Sequence, residues 1–366
     1  MMTNSGLFKE RGGSYMISKT KRFTALMLMC FILVCALPSC GKKQDETIAY
    51  WNSDSPAMAS IISYVSAVTD EKSEDFVPED RRIAVFDVDG TLYGELYPTY
   101  FDESLLLHRL LHDENYQPSE EDRAYAEEAE KALLNGQPEP DSPRSSAQMA
   151  AEAFRGFTVE EYRAYVREFM GEPVAGFDNM TYGEGFYLPM VELVRYLSEH
   201  GFTIFICTGT ERSLERELIE DALGEWIPPY HVVGSTFSLA ASGQGDTEGR
   251  KYSYGPDDKV LLEGNLLQKN QKMNKVITII DEIGVSPILV FGNSSGDASM
   301  AEYALQNGGK AYMLLCDDTE RDYGDLETAA KFEEECRKLG FETISMRDEF
   351  ETIYKEDAVK TKLGEK

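Results

Sequence analysis

Several things are scarce in this chain. It carries only six cysteines and four histidines in 366 residues. Cys30, Cys35 and Cys40 fall in or just after an apolar N-terminal run, which leaves Cys207, Cys316 and Cys336. An odd set with no C-x-x-C spacing excludes a zinc ribbon and a disulfide framework, so these three read as buried free thiols. His108, His112, His200 and His231 are scattered; the first two share i,i+4 spacing but sit on an ordinary helical pattern and read as a packed or exposed pair. Basic residues are few: 36 Lys and Arg face 65 Asp and Glu, a formal net charge of −29. Phosphate backbones repel such a surface, which excludes nucleic acid as a partner. Acidic runs such as Glu120-Glu121-Asp122 and Glu333-Glu334-Glu335 are solvated helix faces. Beyond residue 40 no stretch approaches the roughly 20 apolar residues that a membrane-spanning helix needs. There is no internal repeat and no glycine-rich nucleotide loop.

The N-terminus carries an address. Lys19, Lys21 and Arg22 precede an apolar run over 23–37, followed by Leu37-Pro38-Ser39-Cys40-Gly41. A positive flank, a short apolar stretch and a small residue at the cut site form the signal-peptide pattern. Leu37, Ser39 and Cys40 resemble the lipobox of bacterial lipoproteins, with Pro38 as a departure. That resemblance implies a signal peptide over 1–39, lipidation of Cys40 and a polar tether over 40–50. The protein would then be exported and held on the outer face of a bacterial membrane by lipid alone. Met16 is an alternative start to Met1, since residues 1–15 add nothing to the signal.

After the tether the chain alternates between two periods. Met58, Ile61, Ile62, Val65 and Val68 recur at helical spacing behind the turn signal Ser53-Asp54-Ser55-Pro56. Four continuous apolar runs, 83–86, 203–207, 288–291 and 311–315, have the composition of strands buried on both faces. Amphipathic helices are predicted over 189–197, 212–223, 275–283 and 299–305. This alternation implies an α/β fold, a Rossmann-like parallel sheet flanked by helices, with ligands bound past the carboxyl ends of its strands. One connection is far too long for a loop, roughly 90 residues after the first strand. Its patterns are helical, over 103–111, 120–134, 146–154 and 159–169, and predict an inserted α-helical cap spanning 96–185. A second insertion, 235–262, is rich in Gly, Ser and Asp and reads as a hairpin flap. The core is then 51–95 with 186–355, and 356–366 is a flexible tail.

Chemistry follows each apolar run. The first is followed by Asp87-Val88-Asp89-Gly90-Thr91-Leu92, two carboxylates that can share a cation at a strand end, with Gly90 allowing a sharp turn. A calcium loop is excluded, because it needs its glycine at position six and a later glutamate. Thr208-Gly209 follows the second run, and Gly292-Asn293-Ser294-Ser295-Gly296-Asp297 ends the third. Lys275 opens a helix between them; Lys272, one turn earlier, and Lys269 are alternatives to it. Arg212 suits a substrate anion or a surface carboxylate equally. Phe169, Phe177, Tyr182, Phe186 and Tyr187 read as packing residues of the cap, although such rings can cage a quaternary ammonium.

Taken in order, 87–92, Thr208, Lys275 and 292–297 resemble the four motifs of the haloacid dehalogenase superfamily. The resemblance spans nearly all of 50–355, with the helical insertion in the place of a C1-type cap. Trp51-Asn52, Phe76-Val77-Pro78 and residues 82–87 are similar to a periplasmic branch related to phosphoserine and phosphorylcholine phosphatases. It implies that Asp87 is a nucleophile forming an aspartyl-phosphate and that Asp89 is the general acid and base. It also implies Mg²⁺ held by Asp87, the Asp89 carbonyl and Asp297, and phosphoryl oxygens bound by Thr208, the Gly209 amide and Lys275. Dehalogenase members lack the second acid, so Asp89 implies phosphate esters. One departure is Gly292-Asn293, where the phosphoserine-type branch has Gly-Asp. Asn293 is therefore given an outer role, bonded to a metal water or to Asp87. The expectation is a Mg²⁺-dependent phosphatase for a small phosphorylated substrate, acting as a monomer or small homo-oligomer. A phosphotransferase using the same intermediate and a silent lipoprotein that binds a phosphorylated solute are the alternatives.

Overall fold

The computed structural model describes residues 47–95 and 98–361. The signal peptide, Cys40, residues 41–46 of the tether and residues 362–366 of the tail lie outside them.

In chain order the strands among the described residues are β1 (Ile83–Phe86), β2 (Phe177–Asp178), β3 (Thr203–Glu211), β4 (Val232–Ala241), β5 (Val260–Gln268), β6 (Leu289–Gly292), β7 (Lys310–Leu315), β8 (Glu342–Ser345) and β9 (Val359–Lys360). Seven of them form one sheet in the order β5-β4-β3-β1-β6-β7-β8, and β2 pairs with β9 apart from it. Every neighbour in the large sheet is parallel except β5, which runs antiparallel to β4. The fold is thus α/β with a mostly parallel sheet flanked by helices.

The apolar runs are continuous because both faces of the sheet are covered. Ala84, Phe86, Leu289, Phe291, Tyr312 and Leu314 feed one core, and their neighbours Val85, Val290, Ala311 and Met313 feed the other. Side chains alternate faces along a strand, so a strand with no wet face shows no polar period. β8 was not anticipated: its residues are Glu342, Thr343, Ile344 and Ser345, and only Ile344 is buried. It lies at the sheet edge, where one side chain is enough to anchor it. The stretch read as a flap is a hairpin, but β4 and β5 begin and end beyond 235–262 and continue the main sheet.

Between β1 and β2 lie four helices, Phe101–Leu111, Glu120–Leu133, Ser146–Ala153 and Val159–Phe169. Their starts are set locally: Ser119 accepts the Asp122 amide, and Ser145 with Gln148 and Thr158 with Glu161 form capping boxes. Leu106, Leu107, Leu110, Ala126, Ala129 and Met149 make a small core of their own. Phe101, Phe154, Tyr162 and Val166 instead join the core of the sheet. The helical insertion also hydrogen-bonds to β5 through its backbone, Gly156 N to Leu262 O and Leu262 N to Phe157 O, each at 2.8 Å. Among the described residues no helix is long and apolar enough to cross a membrane.

Candidate active site

β1 is the central strand, with Phe86 level with Ile206 of β3 and Phe291 of β6. The residues that follow on these parallel strands therefore share one edge. Asp87 is fastened there by its amide, which donates to the Phe291 carbonyl at 2.9 Å. Lys275 Nζ donates to Asp87 Oδ1 at 2.7 Å and to Asp297 Oδ1 at 2.6 Å. Only 2% of Lys275 is exposed, and a buried ammonium persists only with such partners. Lys272 is exposed, so the lysine of the cluster is Lys275. The other Asp297 oxygen, Oδ2, accepts from the Asn293 amide at 3.1 Å and the Ser294 amide at 3.2 Å.

Burial pushes the Asp87 carboxyl up to about 6, Asp297 adds to the rise, and Lys275 opposes it. Burial works against the charge of Lys275, but Asp297 and Asp87 outweigh it and hold the ammonium charged. Asp89 accepts from Thr210 Oγ1 at 2.8 Å. Burial, then the charges of Asp102 and Asp87, raise its carboxyl to about 8. A carboxyl group that keeps its proton near neutrality can deliver it to a leaving oxygen.

Thr208 is fully buried at the end of the same edge. Its hydroxyl accepts the Thr210 amide at 3.0 Å and donates to Glu215 Oε2 at 3.5 Å. Glu215 is wholly buried, and burial, with Asp89 and Asp87 next, raises its carboxyl far above the usual range. The Gly209 carbonyl accepts from Ser235 Oγ at 2.6 Å. Beside Gly209 a cavity of about 20 Å³ separates the helical insertion from the sheet, lined by Asp102, Phe154 and Tyr162 on one side and Phe237 and Lys269 on the other. That is room for about one water.

Gly90 has φ +74°, and a Cβ there would lie 1.9 Å from Asn293 Nδ2. The space is filled by the Asn293 side chain, which donates to Glu95 Oε1 at 3.0 Å. Glu95, on the loop after Gly90, is thus a bonded partner of Asn293 beside the outer role expected for it toward a metal water or Asp87. Arg212 pairs with Glu282 at 2.8 Å and with the Gly234 carbonyl, so it meets a surface carboxylate. The aromatics read as packing residues are core: Phe169 stacks on Tyr182 at 4.6 Å, Phe177 and Tyr187 pack on Tyr354, and Phe186 on Tyr93. His108 packs against Phe169, and His112 Nε2 meets Glu130 at 2.9 Å. Cys207, Cys316 and Cys336 are free.

Thr210, Glu215 and Asn270 adjoin the site without having been singled out from the sequence. Thr210 had a signal, two residues past Thr208 on the same strand face; Glu215 and Asn270 had none.

A Mg²⁺ ion takes oxygen donors only. Among the described residues no group of three or more His, Cys, Asp or Glu side chains could hold a metal. Asp87 and Asp297 supply two carboxylates whose Oδ1 atoms lie no farther apart than the sum of their contacts to Nζ. The neighbouring Cys207 thiol is kept protonated, raised by burial to about 11. Two carboxylates match the oxygen-donor chemistry that Mg²⁺ takes.

An acid–lysine–acid cluster thus lies at the carboxyl edge of the parallel strands of an α/β fold, beside a helical insertion. Residues 84–302 match the model of the haloacid dehalogenase-like hydrolases, and the chain belongs to that family. Among solved structures it is similar to a conserved protein of unknown function from Anaerococcus prevotii, with 14% identity, 79% of this chain and 91% of that one covered, and a TM-score of 0.49. It is also similar to cytosolic 5′-nucleotidase IIIB bound to cytidine, at 12% identity, 86% and 92% coverage and a TM-score of 0.45. A phospho-aspartyl intermediate analogue of phosphoserine phosphatase is a further neighbour, at 13% identity, 64% and 86% coverage and a TM-score of 0.32. No curated protein sequence matches the chain.

Proposed function

We propose that this hydrolase is a Mg²⁺-dependent phosphatase of small phosphomonoesters that works through an aspartyl-phosphate on Asp87. The observation that carries the reading is one buried ammonium, Lys275 Nζ, shared at 2.7 and 2.6 Å by Asp87 and Asp297. An Asp87 oxygen attacks phosphorus in line as the bond to the leaving oxygen breaks, and Asp89 gives that oxygen its proton. Asp89 then takes a proton from the water that attacks the phosphorus of the acyl phosphate, which releases orthophosphate and restores the Asp87 carboxylate. Thr208, the Gly209 amide and Lys275 hold the phosphoryl oxygens and offset their charge. Asp87, the Asp89 carbonyl and Asp297 would hold Mg²⁺, which would supply further charge neutralisation. Asn293 supports the loop from outside, through Glu95.

A substrate panel should include phosphoserine and phosphocholine, the esters of the branch the sequence resembles. Hydrolysis of p-nitrophenyl phosphate should require Mg²⁺ and vanish in Asp87→Asn; robust turnover by that variant removes the covalent mechanism. The N-terminal pattern supports an exported lipoprotein anchored at Cys40, acting as a monomer or small homo-oligomer. Radioactive palmitate should label the wild type, and label retained by Cys40→Ser contradicts the anchor.

A further inference from the structure

The backbone of Thr208 and Gly209 is held from behind by two buried side chains. Asn270 Nδ2 donates to the Thr208 carbonyl at 3.1 Å and to Cys207 Sγ at 3.4 Å. Ser235 Oγ donates to the Gly209 carbonyl at 2.6 Å and accepts the Asn270 amide at 2.9 Å. The other end of the same side chain faces the lysine helix. Asn270 Oδ1 accepts from Thr278 Oγ1 at 2.9 Å, and Thr278 Oγ1 accepts from Gln268 Nε2 at 3.2 Å. Thr278 and Lys275 belong to one helix, Met273–Thr278, three residues apart and so on one face. Asn270 is 0% exposed, and an amide in such a place costs free energy unless its polar atoms are all used, as they are here.

We infer that Asn270 is a positioning residue that sets the phosphate-binding strand end, Thr208–Gly209, against the ammonium of Lys275. It touches neither substrate nor metal; it fixes the spacing between two groups that do. An apolar residue would fill the same space but remove the amide donor to the Thr208 carbonyl and the acceptor of the Thr278 hydroxyl, which would keep only Gln268, and the strand and helix could then drift apart. The inference rests on the phosphatase reading above.

Orthovanadate mimics the five-coordinate phosphorus of the transition state, and orthophosphate the product. Calorimetric titration of both with Mg²⁺ present needs no turnover. For Asn270→Ala we expect vanadate to bind about tenfold more weakly and orthophosphate to change by less than about threefold, because misplacing groups costs most where the geometry is most demanding. The kcat for p-nitrophenyl phosphate should fall with the vanadate affinity. A residue that served folding alone would lower the fraction of protein that binds, not the dissociation constant. Folded Asn270→Ala with wild-type vanadate affinity overturns the inference. Should that variant not fold, Thr278→Val cuts only the helix arm and should still weaken vanadate several-fold; unchanged affinity there overturns it equally. Failure of the wild type to bind vanadate overturns both this inference and the phosphatase reading, whereas wild-type binding that neither variant alters overturns this one alone.

Discussion

At the scale of single residues, Asp89 and Gly90 do different work in one turn. Asp89 has two separable parts, a main-chain carbonyl available to a metal and a side chain whose proton is held to about 8 by burial and by Asp102 and Asp87. Asp89→Asn keeps the first and removes the second. Mg²⁺ affinity, measured by titration, should stay near the wild-type value while kcat on an alkyl phosphate falls about 10²- to 10⁴-fold. The loss should be smaller on p-nitrophenyl phosphate, whose leaving group departs without protonation. Equal rates for the variant and the wild type on both esters would remove Asp89 from the acid role. Gly90 acts through its backbone. At φ +74° a β-carbon is disfavoured by about 1–2 kcal/mol, before its collision with Asn293 is counted. Gly90→Ala should therefore lower the melting temperature and loosen the Asn293–Glu95 contact; an unchanged melting temperature would show that the turn relaxes freely.

Between elements, the helix Val159–Phe169 faces the helices Arg212–Leu218 and Glu220–Leu223 across a lattice of charges. Arg163 meets Glu217 at 2.7 Å and Glu220 at 3.2 Å, while Arg167 meets Glu217 at 2.5 Å, Glu220 at 3.2 Å and Asp221. Both arginines are about a third exposed, so each contact is screened and worth only about 0.2–1 kcal/mol. Together they fasten the helical insertion to the helices that follow β3, and the proposed role of the insertion is to gate entry and release. Replacing both arginines by Ala should raise KM several-fold at low ionic strength, and the gap should close in high salt, where the wild-type contacts are screened as well. A difference that persists in high salt would mean the pairs do not control closure. This clamp was invisible in the sequence, because an Arg and a Glu separated by 54 residues carry no joint pattern. The same limit hid Asn270, whose partner Thr208 lies 62 residues away. β1, β3, β6 and β7 were legible because burial on both faces writes continuous apolar runs, and the helices Glu120–Leu133, Ser146–Ala153 and Val159–Phe169 because each has a capping side chain at its start. β8 is half wet and short, and leaves almost no trace.

At the scale of the whole molecule, burial raises several carboxyl groups among the described residues above their ordinary range. Asp87 is raised to about 6, Asp89 to about 8, Glu103 to about 7 and Asp322 to about 6, burial being the largest cause in each. Their unfolded values lie near 3.8 for Asp and 4.5 for Glu. Between those values and the folded ones the native state binds more protons than the unfolded chain, so stability declines as pH rises through that window. A net charge of −29 pulls the same way, since deprotonation adds to self-repulsion. At the acid end the sign reverses. Asp318, held down by backbone amides and by Arg321, and Asp113, held down by the Asn115 amide and Arg109, lose their partners' help once they protonate. Without Mg²⁺ the melting temperature should therefore peak near pH 5, fall steadily toward pH 8 and fall again in stronger acid. Calorimetry in a chelating buffer tests this, and a melting temperature that climbs from pH 5 to pH 8 would contradict the burial of these acids. Added Mg²⁺ should lift the alkaline side most, because a cation beside Asp87 favours the very carboxylate whose charge burial penalises. Asp87→Asn should erase much of that lift while leaving the slope contributed by Glu103 and Asp322 in place, which separates the metal's share from that of the remaining buried acids.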